Sequence, residues 1–101
     1  MSLEIDDFEL TPETQHIRGF WIDLGSKVEK DSGWMRIEWL LKHRLEPVLQ
    51  RDQTADALYR NPADATYWHL YLVSPHMRDN SPPVLERLDL DRARELFGQF
   101  N

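Results

Sequence analysis

Between Trp34 and Val48 the apolar residues Trp34, Ile37, Leu41, Leu45 and Val48 recur at steps of three and four, which puts them on one face of an α-helix. This is the strongest periodic signal in the chain. A helix with a single apolar stripe needs a second layer to lie on, so the rest of the sequence has to supply one. Asp31 or Ser32 can cap the start of the helix with a side-chain oxygen. Pro47 falls inside the pattern, and its missing N–H predicts an end or a kink near Arg44 to Glu46, with a short turn beginning at the proline.

The second layer reads as β-structure. Residues 16–24, HIRGFWIDL, are β-branched and aromatic, and Asp23, Leu24, Gly25 and Ser26 supply turn chemistry before Lys27 to Lys30 return as an antiparallel partner. Tyr67 to Val73 is the clearest strand, with Trp68, Leu70 and Leu72 toward the helix and Tyr67, His69 and Tyr71 on the other face. Val84 to Leu88 follows as a further strand. Residues 52–61, DQTADALYRN, read as a short helix capped at Thr54 and stopped before Pro62. Asp89 or Asp91 caps a last helix, Arg92 to Phe97, closed by Gly98. The expected class is α+β: a small antiparallel sheet of about four strands with two main helices packed on one face.

Charge divides the chain unevenly. Of the net −6, residues 1–13 carry −5 through Glu4, Asp6, Asp7, Glu9 and Glu13, with no Lys or Arg among them. We therefore expect an acidic N-terminal segment over residues 1–13 and a single α+β domain over residues 14–101, with Ile5, Phe8 and Leu10 docking part of the segment onto the domain. The acidic balance opposes adhesion to phosphate backbones, and nucleic acid is not an expected ligand. No membrane is expected either: the longest run drawn only from strongly apolar or aromatic residues is the four from Leu70 to Val73, against the roughly 20 that a spanning helix needs. The N-terminus has acids where a signal peptide has bases. The absence of cysteine removes disulfides, thiolate metal sites and a thiol nucleophile.

Candidate chemistry is sparse. His69, His76 and Asp79 could converge as a two-His, one-carboxylate set, and His69 with Asp64 as an acid and a base. No pair of histidines has the helical i, i+4 spacing of a zinc site, so His69 and its neighbours read better as a polar rim, and no cofactor is expected. The strand around Trp21 is apolar on both faces, with Ile17, Gly19 and Trp21 on one and Phe20 and Ile22 on the other. Such a strand is buried on both sides or offers one side to a partner.

A helix opening around Arg36 and Ile37, the pair Leu58-Tyr59, the run Asn61-Pro62-Ala63-Asp64 leading into Tyr67-Trp68, the pair Pro82-Pro83, then Leu85 and Ala93 to Gly98 resemble the immunity protein 27 family. The likeness covers roughly residues 17 to 98. It implies a cytoplasmic bacterial protein that protects its cell by binding a cognate polymorphic toxin, with no chemistry of its own. Many such toxins act on nucleic acids, so the implied partner is a basic C-terminal toxin domain that an acidic protein meets by electrostatic steering. On that reading the partner-binding residues are the aromatic strand face Tyr67, His69 and Tyr71, with Asp6, Asp7, Glu9, Asp64 and Asp79 supplying charge around it. A regulatory or scaffold domain without a toxin partner is the alternative, and a homodimer stays open.

Overall fold

The computed structural model describes residues 8–77 and 81–100. In chain order it contains strands β1 (His16–Arg18), β2 (Trp21–Asp23) and β3 (Val28–Lys30), helix α1 (Ser32–His43), strands β4 (Glu46–Arg51), β5 (Asp56–Asn61) and β6 (Thr66–Leu72), a 3-10 turn at Pro75–Met77, strand β7 (Pro83–Leu88) and helix α2 (Leu90–Phe97). Five strands form one sheet in the order β1-β7-β6-β5-β4, all antiparallel, while β2 and β3 pair as a separate ribbon. The class is α+β as expected, with five strands in the main sheet where about four were anticipated.

Helix α1 ends where Pro47 requires. Arg44 closes it, with its N–H donating to the Leu40 carbonyl, and Asp31 caps its start by accepting from the Trp34 N–H at 2.9 Å. Its buried face is Trp34, Ile37 and Leu40, with Leu41 half-buried at the edge of the stripe. This face lies on Ile17, Leu85 and Trp68 of the sheet, and Leu45 joins the same core from just beyond the helix. Pro47 does not begin a turn. It sits in β4 on the sheet's outer edge, opposite Tyr59, where a missing N–H is tolerated, and the register slips between Pro47 and Leu49.

The two helices lie on opposite faces, not on one. Trp68 packs in the α1 core, whereas its neighbour Tyr67 joins Leu58, Leu88 and Ala93 with Leu96, Phe97 and Phe100 around α2. Adjacent residues of a strand point to opposite faces, so each helix has its own side of the sheet. The reason is the amphipathic character of β6: Tyr67 and His69 each carry enough ring surface for α2 to cover. Residues 52–61 are likewise a turn and a central strand. Ala57 and Leu58 are both buried because β5 is covered on both faces, so its apolar residues run consecutively, as they do in a helix.

Candidate interaction surface

The sheet face shared with α2 is built from cross-strand rows. Leu58, His69, Glu86 and His16 stand in register across four strands, and Tyr71, Val84 and Arg18 form the next row toward the ribbon. Helix α2 roofs only part of it. The Phe97 ring meets His69 edge-on with centroids 5.2 Å apart, and Phe100 lies 5.3 Å from Tyr67. Tyr71 donates from its hydroxyl to Glu86 Oε2 at 3.0 Å. Burial and the Glu86 carboxylate both raise the Tyr71 phenol above its ordinary pKa, and the charge of Arg18 opposes them.

Beneath α2, the nearly buried carboxylate of Asp56 gathers the Arg51 guanidinium, the Thr54 hydroxyl and His69 Nε2, the last at 2.7 Å. Burial alone would raise the Asp56 pKa, but the hydrogen bonds from Arg51, Thr54 and His69 and the charge of Arg51 outweigh it and hold the acid well below the usual carboxylate range. Arg51 also donates to the Leu96 carbonyl at 2.8 Å and lies 4.2 Å from the centre of the Phe97 ring. The network thus ties the end of α2 to the sheet. His69 finds its carboxylate in Asp56, not Asp64, and among the described residues no group of three or more His, Cys, Asp or Glu could hold a metal ion.

Of the acids expected around this face, Asp64 and Glu9 are among the described residues, and they sit on different elements. Asp64 is exposed in the turn between β5 and β6, accepting from the N–H and the hydroxyl of Thr66 at 3.1 and 2.6 Å. With Tyr67, Arg60 and Arg87 it borders a groove of about 760 Å³. Glu9 lies beside α1, where it accepts from Arg44 Nε at 2.8 Å, and that bond and charge lower its pKa. Arg36 fastens the same segment by donating to the carbonyls of Phe8 and Glu9 at 3.1 and 2.8 Å, and Leu10 packs on the α1 core. Ile5, Asp6, Asp7 and Asp79 lie outside the described residues.

The β2–β3 ribbon is the feature that the expected set omits. Every residue from 20 to 30 is exposed. Phe20, Trp21, Ile22, Leu24 and Val28 are between 39% and 58% exposed, and they make up five of the nine large exposed apolar residues among those described. The register puts Trp21 and Val28 on the side facing α1, where Trp21 meets the Trp34 ring edge-on at 4.7 Å. Phe20, Ile22 and Leu24 then share the opposite side. Arg18 lies 4.4 Å from the centre of the Phe20 ring, which joins this apolar stripe to the row of Val84 and Tyr71. The signal for it in the sequence is a strand apolar on both faces.

The ribbon's root is tightly built. The chain leaves β1 at Gly19, where a Cβ would come within 2.9 Å of Pro83 Cδ and Trp34 Cβ. Asp31 Oδ1 accepts from the Phe20 N–H as well as from Trp34, so one carboxylate caps α1 and pins the base of β2. The profile of the family described as immunity protein 27 matches residues 23–89, from the end of β2 through β7 to the cap of α2. The chain belongs to the immunity protein 27 family. No curated protein and no solved structure matches it. For a member of a family of immunity proteins, the surfaces open to another protein matter most, and none of the described helices is long and apolar enough to cross a membrane.

Proposed function

We propose that this chain is a cytoplasmic immunity protein that neutralises a cognate toxin by forming a stoichiometric complex, acting by binding and not by catalysis. The observation that carries the reading is the family match over residues 23–89. Charge supports it: a net −6, concentrated in residues 1–13, suits capture of a basic toxin domain by steering. In this reading Asp6, Asp7, Glu9, Asp64 and Asp79 contribute steering charge and Tyr71 contacts the partner. Tyr67 and His69 serve the site from beneath α2, by holding the roof that borders it.

The test is protection. Each C-terminal toxin domain encoded in the same genome is expressed from an inducible promoter with and without this chain. Full rescue of growth from one of them, with a 1:1 complex on purification, is the expected result. Death of the cells at the same rate in every case, although the chain is soluble and abundant, overturns the proposal in favour of a regulatory or scaffold role.

A further inference from the structure

The outer stripe of the ribbon is an apolar surface on a rigid root, and its charges cancel. Asp23 and Glu29 balance Lys27 and Lys30 in number, with Lys27 Nζ 2.8 Å from Glu29 and Lys30 Nζ 3.0 Å from Glu38. Exposed apolar side chains grouped in this way on a protein surface mark a place where another surface is met. An isolated two-stranded ribbon gains little stability from such residues, because they stay in water. Asp31 and Trp34 already fix its base, so ordering it against a partner loses little conformational entropy.

Charge decides what covers it. Two copies of a chain with net −6 repel each other at long range, whereas a net-basic protein is drawn in. The stripe itself is apolar, with Arg and Tyr side chains at its edge of the kind that dominate interface energetics. Resting on the function proposed above, we infer that the stripe Phe20, Ile22 and Leu24, continued by Arg18 and Tyr71, is the docking surface for an apolar patch on the net-basic toxin domain. The acidic segment brings the partner in, and the ribbon holds it.

The experiment uses the full chain and the purified, catalytically inactivated C-terminal toxin domains encoded in the same genome. The variant is Ile22→Ser with Leu24→Ser, which leaves every charge in place and alters only exposed positions, so its melting temperature should match the parent's. For the domain bound by the parent chain, the variant should raise Kd about 100-fold through faster dissociation, with the association rate and its salt dependence nearly unchanged. Equal affinity of variant and parent would overturn the docking surface and leave the immunity function standing. Binding of none of the domains by the parent would overturn both. Sedimentation of the chain alone completes the test: a dimer that the variant dissolves would assign the stripe to self-association and overturn the inference.

Discussion

Asp56 shows how much one side chain can carry in a molecule of this size. Its carboxylate receives Arg51, Thr54 and His69 at once, and Arg51 passes the connection on to the Leu96 carbonyl of α2. Asp56→Ala would leave those donors without their acceptor. The expected cost in a urea melt is about 3 kcal/mol, at the low end for a buried ion pair because Arg51 still reaches water. The same residue sets an acid dependence. In the unfolded chain its carboxyl titrates near about 3.9, and in the fold it titrates lower, so its contribution is complete above that pH and is lost as the pH falls toward the folded value. Asp56→Asn should therefore flatten the decline in stability measured below about pH 4. The residue was not legible as a site in the sequence. Read as part of a short helix, Asp56 has no reason to meet His69, and only the pairing of Leu58 with His69 brings the neighbouring acid within reach.

At the scale of elements, the caps of α1 and α2 were legible, whereas the turn at Pro47, the helix over residues 52–61 and the layers were not. Asp31, Asp89 and Gly98 close the helices as their chemistry dictates, because capping depends on a few adjacent residues. The side of the sheet that a helix covers depends on residues far apart in sequence, and an amphipathic strand such as Tyr67 to Leu72 suits burial on either face. The candidate surface was half legible: apolar residues on both faces of the Trp21 strand marked it as buried on both sides or open on one, and it is exposed, while Tyr67 and His69 marked a face that α2 partly roofs. Asp31→Ala tests how the ribbon is held, since it removes the acceptor for both Trp34 and Phe20. We expect a loss of about 1 to 2 kcal/mol by chemical denaturation. Amide exchange should quicken across residues 20–30, with the β5-β6-β7 ladder keeping its protection.

For the whole molecule, the charge and the contact surface are separate assets. Replacing Asp6, Asp7 and Glu9 by their amides should slow association with the toxin domain about tenfold at low salt and flatten its salt dependence, while dissociation changes little. Stopped-flow mixing across a salt series measures this directly. The strand order carries a further consequence, one of timing. Residues 16–18 form their ladder with residues 84–86, and the central strand β7 joins β1 to the rest of the sheet. The apolar face of α1 depends on that junction, through Ile17 and Leu85. While residues 83–88 are still inside the ribosome, the first strand has no partner and the first helix has only part of its bed. The sheet therefore closes only once β7 has emerged, and β1, from which the ribbon springs, has no ladder before then.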